Sequence, residues 1–477
     1  MAANFLHGVE TIEIDKGPRP IRTVKSAVVG LIGTAPIGDI STPTIVLSDK
    51  QAAQFGPQLT GFSIPQALDA IFDQGAGTVI VINVLDPATH KTAVADETVT
   101  LAGDVGKTAK PAWVGTATVK NEAGAVTYVL DTDYTTDPVT GQIKRKAGGA
   151  IVSGATLKVS YEHADPTKVT AADIIGAVNM AGQRTGMQAL LDTYNLMGFF
   201  AKILVAPGFC TLNSVASEMI VMASKLRAVA LIDAPIGTTY AQAIAGRGPA
   251  GVINFNTSSE RAVLCYPHLQ VYDSATDSNR LEPLSQRLAG VMCATDTEKG
   301  YWWSPSNKEI KGIVGVERQL SAMINDPQSE VNLLNEVGIV TLFNSFGTGI
   351  RTWGNRSAAW PTVTHVKNFI NIRRTADILH ESVEYSMLQF IDMPLNRALI
   401  DAIAESVNAF IRTLIARGAL IDGKCSFDAN KNPTSELALG HVTFDVEFMP
   451  PTPAERITFE SFVNQEMLKA LYTATGS

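Results

Sequence analysis

Ala27-Val28-Val29-Gly30-Leu31-Ile32-Gly33 and Thr78-Val79-Ile80-Val81-Ile82-Asn83-Val84-Leu85 are apolar on successive residues, not on alternate ones. A strand that is apolar on both sides must be covered on both faces, which is the setting of a parallel sheet. Between the two runs, Ile64, Ala67, Leu68 and Ile71 recur at helical spacing within residues 64–74. Strand, helix and strand with short connections predict a mostly parallel sheet with helices packed against it.

The same pattern resumes further along. Residues 171–180 read as a helix, Lys202-Ile203-Leu204-Val205-Ala206-Pro207 as a strand, residues 211–227 as an amphipathic helix and residues 228–233 as the next strand. Between the two α/β stretches the composition changes. Residues 98–165 are rich in Gly, Thr, Val and Ala, with short alternating runs at 117–120, 128–130 and 157–161 separated by Gly-containing turns. That is the signature of a small all-β domain. Beyond residue 350 the chain becomes α-rich. A long helix is expected over residues 395–417, with Leu399, Ile403, Val407, Phe410, Ile411, Leu414 and Ile415 as its apolar stripe. Arg412 and Arg417 suit its C-terminal dipole, and Gly418 its stop. Residues 441–448 and 456–459 read as closing strands.

The fold class predicted is therefore α/β and multidomain: a mostly parallel sheet with flanking helices, an inserted all-β domain, an α-rich C-terminal domain and extended terminal arms. The expected boundaries are 1–25 for an N-terminal arm, 26–97 and 166–350 for the two parts of the α/β domain, 98–165 for the insert and 351–477 for the C-terminal unit. A chain of 477 residues is too long for one core.

The terminal segments carry their own prediction. Val9, Thr11, Ile12 and Ile14 belong to an alternating stretch that precedes Gly17-Pro18-Arg19-Pro20. Arg456, Ile457 and Phe459 come after the stiff spacer Pro450-Pro451-Thr452-Pro453. A lone strand is not stable by itself, so each must add to a sheet, in its own chain or in another; exchange with another subunit is the expectation, with pairing to the chain's own sheet as the alternative.

Composition narrows the function. Net charge is −8, with 38 basic and 46 acidic residues, which gives no general drive toward nucleic acid or an anionic membrane. The N-terminal residues show neither a basic region nor a long apolar run, so no export signal is expected, and the apolar runs are too short to span a bilayer. Cys210, Cys265, Cys293 and Cys425 match no zinc or redox spacing and are expected as reduced, mostly buried thiols.

Enzyme motifs fail on context. Gly246-Arg247-Gly248-Pro249-Ala250-Gly251 comes after a helix and precedes a strand, the reverse of a dinucleotide fingerprint. Gly103-Asp104-Val105-Gly106-Lys107-Thr108 has Leu101 where a phosphate loop needs its first glycine. His380-Glu381-Ser382-Val383-Glu384 could seat a metal, but a solvated helical face is the simpler reading. Tyr301-Trp302-Trp303 reads as core packing or as an interface anchor. No catalytic residue, metal ligand or cofactor is expected, with a nucleotide-binding α/β enzyme kept as the alternative of another class.

Thr297-Glu298-Lys299-Gly300-Tyr301-Trp302-Trp303-Ser304-Pro305-Ser306-Asn307-Lys308, together with Gly312-Ile313-Val314-Gly315-Val316-Glu317-Arg318, resembles the tail sheath family of contractile phages and R-type bacteriocins. The resemblance continues in Arg351-Thr352-Trp353-Gly354-Asn355-Arg356-Ser357, in Phe369-Ile370-Asn371-Ile372-Arg373-Arg374-Thr375-Ala376-Asp377 and in Phe448-Met449-Pro450-Pro451-Thr452-Pro453-Ala454-Glu455-Arg456-Ile457. It implies a structural subunit that stacks with itself in sixfold discs around a tail tube protein, between baseplate and tail terminator proteins. It implies assembly in the host cytoplasm into a virion tail, with contraction driving the tube through the envelope for genome ejection. No direct nucleic-acid contact and no membrane insertion are implied. A bacteriocin or related injection particle is the alternative setting. Within that picture the β insert is expected to face outward, and Arg412, Arg417 and Lys424 are the candidates for facing the tube.

Overall fold

The computed structural model describes residues 20–473 apart from positions 76, 275 and 346. Its centre is an eight-stranded sheet. The strands are β1 (Val28–Gly33), β2 (Thr44–Val46), β3 (Thr78–Asn83), β4 (Ile203–Val205), β5 (Val229–Asp233), β6 (Ala262–Cys265), β7 (Ile339–Ser345) and β8 (Gly349–Trp353). They lie in the order β8-β7-β6-β5-β4-β1-β3-β2. Strands β3, β1, β4, β5, β6 and β7 run parallel, and the edge strands β2 and β8 are antiparallel.

The unbroken apolar runs arise from cover on both faces. Val29, Leu31, Val79 and Val81 meet Ile64 and Leu68 of helix α1 (Ser63–Phe72) and buried residues of helix α3 (Leu284–Glu298). Val28, Ile32, Ile80 and Ile82 face Val215, Met219 and Met222 of helix α2 (Asn213–Leu226). Gly30 sits where the second layer closes on β1: a Cβ there would lie 3.0 Å from the Ala201 Cβ and 3.1 Å from Leu204. The four cysteines are free and buried.

The inserted β unit begins with the strand Lys91–Thr100, ahead of the expected boundary at 98, and ends with the strand Thr156–Ala164. Lys91 and Ala164 are cross-strand partners, so the insert enters and leaves the body at one point. Thr156–Ala164 also pairs with Trp113–Asn121, and Val105–Lys107, Gln142–Arg145 and Tyr134–Asp137 form a second small sheet. Val99, Trp113, Tyr134, Ile143, Leu157 and Tyr161 give the insert its own core. The strand expected at residues 128–130 is corrected: this stretch makes isolated bridges only and leaves Val129 exposed.

The helix expected over residues 171–180 is also corrected. It stops after Ala171–Ile175, because Gly176 takes φ +74° and a Cβ there would overlap the Thr185 carbonyl at 1.8 Å. Residues beyond it turn outward and leave Val178 and Met180 exposed.

The C-terminal unit holds helix α4 (Ile370–Met387), helix α5 (Arg397–Ala416) and a hairpin of β9 (Asp422–Phe427) and β10 (Phe444–Met449). Asn396 caps α5 by accepting from the Leu399 N–H at 2.9 Å. Val407, Phe410, Ile411 and Leu414 are buried as the stripe requires, with Ile415 packed alongside, whereas its first turns are less covered. β10 starts at Phe444, since residues 441–443 are held by Glu436 and Asn432 outside the ladder.

Candidate assembly surfaces

The hairpin β9–β10 is a two-stranded sheet. Such a sheet presents two edges, each with unpaired backbone groups. The β9 edge is partly covered. Asn408 of α5 donates to the Cys425 carbonyl at 2.9 Å and accepts from the Cys425 N–H at 2.7 Å. Both Cys425 groups therefore point away from β10, and so do those of Val446, its partner across a non-hydrogen-bonded pair. Those of Val446 form an edge on β10 that no α5 side chain closes among the described residues. The edge strand is fixed from behind by Val446 and Phe448, which pack into the α5 core, and by the His380 ring edge-on to Phe448 at 5.5 Å.

The chain then leaves the body. Arg456, Ile457 and Phe459 are in no strand and pair with no segment of their own chain among the described residues. Ile457 is 70% exposed, Phe459 89%, Phe462 85% and Val463 90%. The other strand candidates, Val9, Thr11, Ile12 and Ile14, lie outside the described residues. The last residues of the expected 1–25 arm lie against the body. Ile21 packs on the α5 cluster, and the Val24 N–H donates to the Ser382 hydroxyl at 3.1 Å.

The tube-facing candidates fall on one unit. Arg412 is exposed and pairs with Glu405 of the same helix. Arg417 lines a groove of about 810 Å³ between α5 and residues 20–23, as does Glu405. Lys424 lies on β9, exposed, with its ammonium 3.4 Å from Glu447. Arg412 is thus paired with Glu405, Arg417 stands at the end of α5 on the groove, and Lys424 lies on the hairpin with its own acidic partner.

The solvated-face reading of residues 380–384 is overturned. Glu381 and Ser382 are buried, because α4 lies against the body and its charges are met there. Lys202 pairs with Glu381, Arg227 with Glu384, Arg261 with Asp377 at 2.7 Å, Glu260 with Arg373 at 2.8 Å and Asp296 with Arg374 at 2.6 Å. This ionic seam joins the C-terminal unit to the sheet, and sequence reading missed it. Only half of it was legible: Arg373, Arg374, Asp377, Glu381 and Glu384 recur on neighbouring turns without matching partners at every i+4 position, but their partners lie far away in the chain. Burial lowers the Lys202 pKa, with Glu381 opposing it, and burial together with Arg227 and Arg373 lowers that of His380.

The remaining motifs resolve into packing. Gly246 to Gly251 forms a turn after the helix Tyr240–Ala245. Arg247 within it donates to the carbonyls of Val337, Phe255, Thr257, Ala358 and Trp360, which makes the turn a structural staple. The turn at Gly103 leads into the strand Val105–Lys107 and not into a helix. Tyr301 is buried and Trp302 packs on the C-terminal core, while Trp303 is exposed beside the Lys308 ammonium. Among the described residues no cluster of three or more His, Cys, Asp or Glu is placed to hold a metal, and no helix is long and apolar enough to cross a membrane.

These features describe a multidomain chain with an exposed apolar C-terminal tail, and the comparisons place it in a class. The fold is that of contractile sheath subunits. It matches the sheath of an extracellular contractile injection system, the PVC sheath complex in its contracted state, with a TM-score of 0.59 at 13% identity over 98% of this chain and 100% of that one. It also matches the contracted helical sheath of the anti-feeding prophage, with a TM-score of 0.58 at 15% identity over 97% and 100%. The phage tail sheath central-domain model matches residues 182–358, and the phage tail sheath C-terminal-domain model matches residues 362–464. A model of a protein of unknown function matches residues 86–173, the insert and its roots. The tail sheath protein of Burkholderia phage BcepMu is 60% identical over 99% of both chains. A prophage major tail sheath protein of Pseudomonas aeruginosa is 35% identical over 65% of this chain and 78% of that one. The chain belongs to the phage tail sheath family.

Proposed function

We propose that the chain is the repeating structural unit of a contractile phage tail sheath, which polymerises around an inner tube and contracts to drive that tube through the host envelope for genome ejection. The observation that carries this reading is the apolar tail beyond Glu455, uncovered in its own chain and next to a hairpin with an open β10 edge. A run of exposed apolar side chains on an extended segment marks an interface. Here the cover is a second copy: the strand at 456–459 adds to a sheet of a neighbour, the β10 edge is an acceptor, and residues 9–14 make the corresponding exchange at the other end. Each interchain backbone bond contributes only about 1 kcal/mol net. Several per arm, linked through every subunit, give an avidity far above any single contact. Paired strands with flexing linkers also let subunits move during contraction without separating.

In this reading the subunits stack as sixfold discs, the β insert faces outward and the C-terminal unit faces the tube. Exposed pairs such as Arg412–Glu405 and Lys424–Glu447 are worth about 0–1 kcal/mol each. They exchange for acidic groups on a tube at little cost, which suits a contact that must slide. The partners are the chain itself, the tube, the baseplate and the tail terminator, without direct contact to nucleic acid and without membrane insertion. Assembly takes place in the host cytoplasm, and the product is part of the virion. No catalytic step is assigned: the energy is stored when the sheath forms. The likeness to injection-system sheaths supports the same mechanics in a second setting, a bacteriocin or injection particle. Electron microscopy of the purified protein tests the reading. Long hollow tubes are expected, and discrete monomers with nucleotide affinity would contradict it.

A further inference from the structure

The C-terminal tail is not merely released after β10. It is held at two points and then let go. The Asn371 side chain donates to the Pro451 carbonyl at 3.3 Å and to the Trp302 carbonyl at 3.0 Å. Four residues on, Glu455 meets Arg356. The Arg356 Nε donates to one Glu455 carboxylate oxygen at 2.8 Å, a terminal nitrogen donates to the other, and the remaining nitrogen donates to the Asn368 side-chain oxygen at 2.8 Å. The guanidinium also lies 4.0 Å from the Trp360 ring centre and 4.2 Å from that of Phe369.

Its backbone is fixed as well. Arg356 and Phe369 form an antiparallel bridge, the Ser357 N–H donates to the Asn368 carbonyl at 2.7 Å, and the Ile370 N–H donates to the Asn355 carbonyl at 2.9 Å. A guanidinium with every nitrogen used and two rings against it has little freedom left, and a side-on carboxylate pair fixes direction as well as distance. The residue after Glu455 begins the exposed arm.

We propose that Arg356 and Glu455 form a pin that sets where, and in which direction, the C-terminal arm leaves the subunit, so that the arm meets its neighbour already oriented. This rests on the reading that the arm pairs with another subunit. Arg356 is a positioning residue: it acts through the tail. A preorganised arm loses less freedom on association, so the pin lowers the concentration at which sheaths form.

The experiment uses the full chain. Arg356→Ala frees the tail, and trypsin cleavage after Arg456 in the dispersed subunit should rise at least tenfold. Arg356→Lys keeps the charge but loses the fork and the ring contacts, and should give an intermediate rate. The threshold concentration for sheath formation should rise at least tenfold in Arg356→Ala, with the subunit's unfolding midpoint unchanged. Unaltered cleavage or an unaltered threshold would overturn the pin. Should Arg356→Ala fold poorly, Glu455→Ala lies on the exposed side of the contact and must raise the threshold alike. A chain ending at Glu455 separates the two ideas. Sheaths formed by that chain would overturn the arm reading itself. No sheaths from it, with normal assembly of Glu455→Ala, would overturn the pin alone.

Discussion

Lys202 and Glu381 are 3% and 5% exposed, and each is tolerable only because of the other. The Lys202 ammonium also donates to the Leu226 carbonyl at 2.9 Å, which ties the end of α2 to the same point. Removing one member leaves a buried charge without its counterion. Glu381→Ala should therefore cost about 3–5 kcal/mol of stability, whereas Lys202→Met with Glu381→Leu should lie near the wild type. Denaturant unfolding of the three chains checks this, and an equal loss in single and double variants would refute it. His380 gives a pH dependence. Burial and the nearby Arg227 and Arg373 cations hold its pKa below the usual imidazole range, against a smaller opposing effect of Asp377, with Lys367 adding to the depression. The unfolded chain thus binds the proton more readily than the folded one. This contribution to stability is fully present above a pH of about 6.5 and is lost as pH falls from there through the folded value. His380→Gln should flatten that part of the curve, measured as unfolding free energy between neutral and mildly acidic pH; unchanged slopes would exclude the assignment.

At the scale of elements, the open edge of β10 makes a sharp prediction. The Val446 N–H points away from β9, so Val446→Pro removes no bond of the hairpin but blocks strand addition. The variant should remain folded, with some loss of midpoint from the lost Val446 packing, and fail to form long polymers, as read by sedimentation. Normal polymers would show that the acceptor lies elsewhere. The elements that sequence reading placed well are those whose periodicity is dictated by burial. β1, β3 and α1 are apolar because both sheet faces are covered, and α2 and α5 show the stripe they bury. The misplaced ones were decided by local geometry. Gly176 stops a helix that Ala171, Ile174 and Ile175 begin, and three residues at 128–130 are too few for a ladder. For the assembly surfaces, alternation next to proline supports only the expectation of terminal strands: residues 9–14 lie outside the described residues, and residues 456–459 are in no strand of their own chain. The β10 edge was not readable, because it depends on Asn408 closing the opposite side from a distant helix. The ionic seam likewise joins residues such as Lys202 and Glu381, far apart in the chain, and no window along the sequence contains both partners.

For the whole molecule, the insert is a separately packed unit, and the proposal places it outward. The insert has its own core, and Lys91 and Ala164 are paired neighbours where it joins. Excising residues 92–163 and bridging the gap with a short glycine linker should leave a folded chain that still polymerises; loss of all assembly in a well-folded deletion would contradict the outward placement. The proposed connecting role of the ends is the central claim. The decisive measurement is electron microscopy of the full-length protein beside a chain lacking residues 1–20, both shown to be folded. The account predicts long, contractile hollow sheaths from the first and only short or dispersed species from the second. Long contractile sheaths from the truncated chain would contradict it, since the N-terminal strand would then connect nothing.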